Sequence, residues 1–251
     1  MILLSNWKRG ICFEPTDCPA RRMYLWFYEW HLFDAFGPGE HTPGRHNPET
    51  QISDDGLNGI LSHNGLRLEL NSLEDGVALR LIVSNHTSDT WPDVAAIIPC
   101  FNPGLAPEAV PTEGFFDDEH ERTWFLGRSS LELLQLRDIH FNYEYRSAVD
   151  ERAAGGIHPF TEKWPTSDRD AGGGLLVRES VDRKWVAGIA WESYLSLQGH
   201  NPWRCMHQSV RIGPLAPGAT REINGRIYLF QGDRMSCLDK YALQFRQNDG
   251  G

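Results

Sequence analysis

Apolar and polar residues alternate along several stretches of the chain. In residues 65–83, the segments LRLEL and VALRLIV alternate in this way, and the turn Glu74-Asp75-Gly76 lies between them. Successive side chains of a strand point to opposite faces, so this pattern predicts a β-hairpin with one buried face. A second hairpin is predicted over residues 173–198, with its turn at Asp182-Arg183. A third is predicted over residues 209–231, where SVRIGPL pairs with REINGRIYLF across Ala216-Pro217-Gly218.

Other segments predict the remaining elements. VAAII, residues 94–98, predicts a buried strand that Pro99 ends. RSSLELLQLRD, residues 128–138, predicts a short helix, and CLDKYALQFRQ, residues 237–247, predicts an amphipathic one. Residues 147–172 have no periodicity and are expected to form a long surface loop, which in compact domains is often a lid or a binding loop.

The predicted elements are mostly strands joined by short turns. The 24 glycines and 15 prolines are spread along the whole chain, as in proteins with many short strands. We therefore expect an all-β fold, a two-sheet antiparallel β-sandwich of jelly-roll-like or related type with few short helices. We expect one domain over residues 1–251, with residues 1–55 forming an N-terminal strand and loop segment that packs on it.

Composition and charge exclude several classes of function. Hydrophobic residues make up 40% of the chain and charged residues 23%, which is typical of a globular protein. The net charge of −10 argues against nucleic acid as a partner, and the lack of a long apolar run argues against a membrane span. No P-loop, G-x-G-x-x-G or G-x-S-x-G motif is present, so no nucleotide cofactor is expected. The sequence leaves open a cytoplasmic location, or a secreted or periplasmic one after removal of a leader.

The most apolar stretch of the chain contains two polar groups. Residues 24–33, YLWFYEWHLF, predict a strand on which Glu29 and His31 share one face. A buried carboxylate needs a partner, and apolar surroundings raise its pKa, which suits a general acid or base. The alternatives are an ordinary Glu–His hydrogen bond and an edge strand that turns both groups to water.

Two further histidines, His41 and His46, follow this strand in the turn-rich segment GPGEHTPGRH. Together with Glu29 and His31 they offer two or three imidazoles and a carboxylate, the kind of ligand set that holds a divalent metal such as Zn, Mn or Ca. The alternative is that His41 and His46 are exposed loop residues, since their spacing matches no known metal motif.

A second polar group is GHNPWRCMH, residues 199–207. If a strand starts again after Pro202, Cys205 and His207 point to one face, where they are candidates for a pair of soft metal ligands or for an acid–base pair. His200 is a further candidate metal ligand. The alternative is a buried cysteine and a core histidine. Trp203 and Arg204, in the same segment, are candidate substrate-binding residues.

Several other residues fit a carbohydrate site. Glu192 and Tyr194 share a strand face, and an aromatic ring beside a carboxylate can stack on a sugar and bind its hydroxyls. Trp26 and Trp30 offer further stacking surfaces. In DIHFNYEYRS, residues 138–147, one predicted strand face carries His140, Asn142, Glu144 and Arg146, and this face is either a concave ligand surface or a solvated outer face.

Two segments resemble carbohydrate-active β-sandwich proteins of the galactose-mutarotase-like kind. GLRLELNSLEDGVALRLIVSNHTSDTW resembles their alternating hairpin that closes in an N-x-(S/T) turn, and GPLAPGATREINGRIYLF resembles their final strand pair. The resemblance covers about half of the chain. It implies a sugar-binding concave sheet with histidine and a carboxylate as acid and base, although the mutarotases' catalytic motifs do not match residue for residue.

Three hypotheses for function follow. The first is a carbohydrate-processing enzyme of the epimerase or lyase type, in which Glu29, His31, His207 and Glu192 do acid–base chemistry, with metal assistance from His41, His46 and His200. The second is a non-catalytic carbohydrate-binding or accessory domain. The third is an assembly protein in which the aromatic residues 24–33 form a homo-oligomer interface.

Overall fold

The computed structural model describes residues 1–7, 10–18, 22–32, 48–103, 116, 121–134, 138–154, 165–200 and 205–245, with the main chain alone at 28–32, 153 and 200. Within these ranges the elements, in chain order, are β1 (Ile2–Trp7), β2 (Gly10–Pro15), β3 (Met23–Leu32), β4 (Glu49–Ile52), β5 (Asn58–His63), β6 (Leu66–Leu73), β7 (Gly76–Ser84), β8 (Ala96–Asn102), β9 (Thr123–Gly127), β10 (Leu131–Leu133), β11 (Ile139–Phe141), α1 (Arg146–Ala154), β12 (Ala171–Glu179), β13 (Trp185–Trp191), β14 (Tyr194–His200), β15 (Cys205–Arg211), β16 (Thr220–Gln231) and α2 (Arg234–Phe245).

The strands form two antiparallel sheets. The described strands of the first sheet lie in the order β1-β2-β3-β8-β15-β14-β11, and those of the second in the order β10-β9-β12-β13-β16-β7-β6-β5-β4. We call them the seven-stranded and the nine-stranded sheet. The predicted all-β sandwich with few helices is therefore confirmed.

The main core lies between the two sheets. Phe13, Phe101 and Met206 of the seven-stranded sheet belong to the same buried cluster as Leu81 and Ile189 of the nine-stranded sheet. Each of these side chains is fully buried, so the layer between the sheets is apolar. Burying this apolar area is the main favourable term that holds the layers together.

The two helices cover the outer faces of the sheets. α2 packs Cys237, Tyr241 and Phe245 against the nine-stranded sheet, which confirms the predicted amphipathic C-terminal helix. α1 packs Val149 against Ile98 of the seven-stranded sheet. The prediction of a structureless loop from residue 147 was thus wrong at its start. The weakly amphipathic sequence RSAVDERAA gives little periodicity to detect.

The first predicted hairpin is confirmed, the second is confirmed only up to residue 191, and the third was wrong. Residues 194–198 belong to β14 of the seven-stranded sheet, so Glu192, which follows β13 of the nine-stranded sheet, and Tyr194 do not share a strand face as predicted. β6 pairs with β7 across the Glu74-Asp75 turn, and β12 pairs with β13 across residues 180–184. β15 and β16, however, lie in different sheets, so the pairing predicted over residues 209–231 was wrong. The peptide Gly213-Pro214 lies between them, and a proline has no N–H to donate to a strand ladder.

Two further predictions were also wrong. The helix predicted over residues 128–138 is instead strand β10 at Leu131–Leu133, paired with β9. Its apolar leucines serve equally well in a short edge strand, which single-sequence periodicity cannot separate from a helix. The strand predicted to end at Pro99 continues to Asn102.

Strand β3 is irregular at the point where Pro99 interrupts the ladder. Trp26 is the register partner of Cys100, whereas Trp30 is the partner of Ile98, so the β3 main chain has extra residues opposite Pro99. A bulge of this kind accommodates a proline inside a sheet, and it changes the direction of the strand locally. Glu29 lies in this bulged segment.

Neither of the described helices is long and apolar enough to cross a membrane.

Candidate functional site

The outer face of the seven-stranded sheet changes from apolar to polar along its strands. At one end, Ala96 and Ile98 of β8 pack in the cluster that α1 covers. Alternation then places Cys100 and Asn102 on the same outer face, since Ile97 and Phe101 point into the core. Cys100 and Asn102 are buried, so this polar part of the face is not an ordinary solvated surface.

Cys100, Cys205 and His207 meet on this face. His207 of β15 is the register partner of Cys100 of β8, and Cys205 precedes His207 by two positions on the same face. One ligand atom from each of the three side chains lies within 4.8 Å of the other two, and all three residues are buried. The group could therefore hold a metal ion. Two thiols and an imidazole form a soft ligand set of the kind that binds zinc.

Polar and aromatic side chains surround this group. Gln198 of β14 is the register partner of His207, and Trp26 of β3 is the partner of Cys100. The Gln198 amide nitrogen is buried and makes no hydrogen bond to any residue that the structure describes. Trp26 is half-buried and stacks on Trp7, with ring centroids 5.4 Å apart. The face thus offers a hydrogen-bond donor and an aromatic ring beside the three ligand groups.

None of the five cysteines forms a disulfide, and Cys12 does not belong to the group that Cys100 and Cys205 form with His207. Cys12 lies in a separate cluster with Tyr24, where burial, together with the nearby Glu14 charge, raises the pKa of its thiol to about 11. Such a thiol stays protonated at neutral pH and has little nucleophilic character. Cys12 is therefore a structural cysteine.

The main chain alone locates several predicted residues. His31 is the register partner of Ile97 and Trp30 is the partner of Ile98, so both lie on the strand next to that of Cys100. Glu29 is in the bulge between Trp26 and Trp30. His200 ends β14 as the register partner of Cys205. Strand β3 agrees with the prediction for residues 24–33, and the roles of these residues stay predictions.

Four predicted residues lie outside the described part of the chain. They are the candidate metal ligands His41 and His46 and the candidate substrate-binding residues Trp203 and Arg204.

Glu192 lies away from the cysteine–histidine group, at the end of β13 in the nine-stranded sheet. Its carboxylate accepts hydrogen bonds from the Asn224 main-chain N–H at 2.6 Å and from the Asn224 side chain. It lines a cavity of about 370 Å³ together with Tyr194, Asn142 and Glu144. Asn142 and Glu144 thus line the same cavity as Glu192 and Tyr194, although the sequence analysis treated these as two separate groups. His207 is not among the residues that line this cavity.

His140 is a core residue. Its ring is fully buried and stacks on Phe125, with centroids 3.8 Å apart and planes 18° apart. Nδ1 lies 2.8 Å from the Arg169 carbonyl oxygen, to which it donates as an N–H. Burial lowers the pKa of His140, so the neutral imidazole is favoured. The strand predicted over residues 138–147 ends at Phe141, which is why His140 does not share a polar face with Glu144.

Cys100 is the candidate metal ligand that sequence reasoning missed. It lies in a continuous apolar run, and its partners on β15 are about a hundred residues later in the chain. Its one sequence signal was its alternation with Ile98 on a strand whose end was predicted too early. Recognising it would have required the pairing of β8 with β15, which no local pattern reveals.

Comparisons with known proteins find similar solved structures at low identity. No protein-family model and no curated protein matches the chain. Among solved structures, it is similar to a galactose mutarotase related enzyme from Lactobacillus acidophilus, with 9% identity, a TM-score of 0.47, and coverage of 93% of this chain and 99% of the other. It is similar to a galactose mutarotase-like protein from Lactobacillus casei, with 10% identity, a TM-score of 0.39, and coverage of 92% and 100%. It is also similar to a polysaccharide lyase, with 9% identity, a TM-score of 0.41, and coverage of 95% of this chain and 34% of the other. The weak resemblance drawn from the sequence names the same group as the first two.

Proposed function

We propose that the protein is a metal-assisted carbohydrate-processing enzyme of the epimerase or lyase type, with its site on the outer face of the seven-stranded sheet. The proposal rests on the arrangement of Cys100, Cys205 and His207. All three residues are buried, and one ligand atom from each lies within 4.8 Å of the other two. Among the described residues the group supplies three ligands, which would leave one position of a tetrahedral zinc ion open, as in catalytic rather than structural zinc sites.

The ligand chemistry narrows the choice of metal. Mn and Ca prefer oxygen ligands, whereas thiolates and imidazole suit zinc. Of the three metals expected from the sequence, zinc is therefore the one proposed. His207 then serves as a ligand and not as the general base that the sequence analysis proposed.

The neighbours of this group support a sugar as the substrate. The amide nitrogen of Gln198, which has no hydrogen-bond partner among the described residues, can donate to a hydroxyl oxygen, and the half-buried Trp26 ring offers a flat apolar surface to a pyranose. Both residues are register partners of the proposed ligands. A site that combines a stacking ring and an amide donor matches the mixed polarity of a sugar.

The remaining roles follow from the acid–base hypothesis. Cys100, Cys205 and His207 would hold the zinc ion, and its Lewis-acid chemistry would acidify the C–H next to a carbonyl or carboxylate group of the substrate. Glu29, in the bulged segment of the strand beside Cys100, is the proposed base that takes this proton. His31 is the register partner of the core-facing Ile97, so this proposal gives it no role. In an epimerase, a second group returns a proton to the same carbon. In a lyase, a C=C bond forms, the C–O bond at the β-carbon breaks, and a second group protonates the leaving oxygen.

Elemental analysis of the purified protein tests the metal site. We expect about one zinc per chain, and we expect Cys100→Ser and His207→Ala each to lower that occupancy at least tenfold. Cys12→Ser is the matched control, because Cys12 is also a buried cysteine and lies outside the group. Zinc that persists in both site variants would place the metal elsewhere and overturn the proposed ligands.

Activity and binding assays test the enzyme function. Purified protein is incubated with mono- and oligosaccharides, including uronates, and products are followed by NMR and by the ultraviolet absorbance of a new C=C bond. We expect turnover that chelation abolishes and added zinc restores. Sugar binding that survives chelation and His207→Ala, without turnover, would support the non-catalytic carbohydrate-binding domain instead. If the protein shows no sugar binding and no turnover, the proposal that its substrate is a sugar is wrong.

A further inference from the structure

The cavity at Glu192 has a second feature, a pair of arginines that share one acceptor. Arg211, at the end of β15, and Arg221, near the start of β16, both line it. An Nη1 group of each donates to the same oxygen, the carbonyl of Gly213, at 2.6 Å. Two positive guanidinium groups are thus brought together in the wall of this cavity.

The contacts of the two arginines are not equivalent. Arg211 forms an ion pair with Asp93 at 2.8 Å and lies over the ring of Tyr145. Arg221 donates only to neutral acceptors among the described residues, namely the Gly213 carbonyl and the Ser193 hydroxyl at 3.2 Å. Arg221 is half-buried, and a buried cation is normally paired with an anion.

The electrostatics around Arg221 favour an added negative charge. Burial and then the charge of Arg211 lower the pKa of Arg221, which means that its charged form lacks full compensation. The planar fork of a guanidinium binds a carboxylate or phosphate through two parallel hydrogen bonds. An acid group between Arg211 and Arg221 would be stabilised by both.

The rest of the cavity wall carries acceptors. The Glu222 carboxylate is already held by Arg80 through two hydrogen bonds of 2.6 and 2.5 Å. The carboxylates of Glu144 and Glu192 are exposed and have acceptor capacity left beyond their bonds to Tyr143 and Asn224. Hydroxyl groups of a ligand can donate to these carboxylates while its acid group lies at the arginines.

We propose that this cavity binds a small hydroxylated acid, with its carboxylate or phosphate on Arg221 and Arg211 and its hydroxyls on Glu144 and Glu192. A volume of about 370 Å³ is at the lower end of small-molecule sites, which fits a ligand of monosaccharide size. The inference is separate from the proposed function, because it uses none of Cys100, Cys205 and His207.

Calorimetric titration tests the inference, with glucuronate, glucose 6-phosphate, inorganic phosphate and glucose as probes. We expect at least one of the three anionic probes to bind tenfold or more tightly than glucose. Preference for glucuronate would identify the ligand as a sugar carboxylate, and preference for glucose 6-phosphate would identify it as a sugar phosphate. If inorganic phosphate binds as tightly as glucose 6-phosphate, the ligand is phosphate alone. Each of these outcomes supports an anion site, and the last removes the hydroxyl contacts from it.

Variants distinguish binding at this site from a general effect of the protein's net charge. Arg221→Gln is expected to weaken the best probe at least tenfold, and Arg221→Lys to weaken it less, because the charge stays while the fork is lost. Arg67→Gln is the matched control, since it removes one positive charge from β6, outside the residues that line the cavity. Equal weakening by Arg221→Gln and Arg67→Gln, or no preference for any anion over glucose, would overturn the inference. Cys100→Ser should leave this binding intact, whether or not the zinc proposal holds.

Discussion

His140 shows how the role of one residue depends on which side of a sheet it occupies. The ring is fully buried against Phe125, and Nδ1 donates to the Arg169 carbonyl oxygen. Nε2 is buried and has no hydrogen-bond partner among the described residues, so a second proton there would have no acceptor. The same imidazole on the opposite face would be a candidate for chemistry.

This burial predicts a pH dependence of stability. The folded-state pKa of His140 is below its ordinary value of 6.5, so the unfolded chain binds the proton first as the pH falls. Stability from this residue is present above about pH 6.5 and is lost as the pH falls from there through the folded pKa. His140→Phe can keep the stacking but has no proton to bind. We expect its unfolding free energy, measured by urea titration, to fall less than that of the wild type when the pH is lowered from about 7.5 to about 5. Equal losses in the two proteins would contradict this.

At the scale of elements, α2 is fixed to the nine-stranded sheet by a polar contact as well as an apolar one. The buried Tyr241 hydroxyl accepts a hydrogen bond of 2.9 Å from the Gly174 main-chain N–H. Gly174 lies in β12 where its register with β9 shifts between Ala171 and Leu176. The tyrosine thus pairs a main-chain donor at a point where the strand ladder is irregular.

Removing this hydroxyl should destabilise the fold. Tyr241→Phe leaves the Gly174 N–H buried without its acceptor, which costs about 1–3 kcal/mol of unfolding free energy. Denaturant unfolding at neutral pH measures the change. Leu243→Ala, on the exposed side of the same helix, should change the unfolding free energy by less than about 0.5 kcal/mol. A loss in Tyr241→Phe no larger than that of the control would show that the contact contributes little.

Elements whose partners are close in sequence were predictable. The β6–β7 hairpin was correct because alternation and a turn residue at Gly76 specify it locally. The pairing of SVRIGPL with REINGRIYLF failed because alternation shows that a segment is a strand and does not show which sheet it joins. The pairing of Cys100 with His207 could not be predicted, for the same reason. Cys205 and His207 lie within one strand, so the sequence was enough to predict that they share a face.

At the scale of the whole molecule, Asp75 connects three parts of the fold. It lies in the β6–β7 turn, forms an ion pair with Arg226 of β16, and accepts a hydrogen bond of 2.7 Å from Lys240 of α2. Burial tends to raise the pKa of Asp75, but the contacts with Lys240 and Arg226 outweigh burial and hold the pKa below its usual 3.8. One carboxylate thus joins a turn, a central strand and the C-terminal helix.

Neutralising this carboxylate should weaken the fold in a pH-dependent way. We expect Asp75→Asn to lower the unfolding free energy by about 2 kcal/mol at neutral pH. Because the folded-state pKa is depressed, the contribution is present above 3.8 and is lost as the pH falls through the folded pKa, so wild type and variant converge in acid. Asp239→Asn, an exposed neighbour on α2, is the control and should show no such difference. A gap between Asp75→Asn and wild type that stays constant into acid would contradict the expectation.

The pairing of β8 with β15 also sets an order of events during biogenesis. Cys100 leaves the ribosome roughly a hundred residues before Cys205 and His207, and the three side chains meet only after both strands have joined the seven-stranded sheet. An ion bound by all three would therefore be acquired by a chain that has largely folded, and would select that state by mass action.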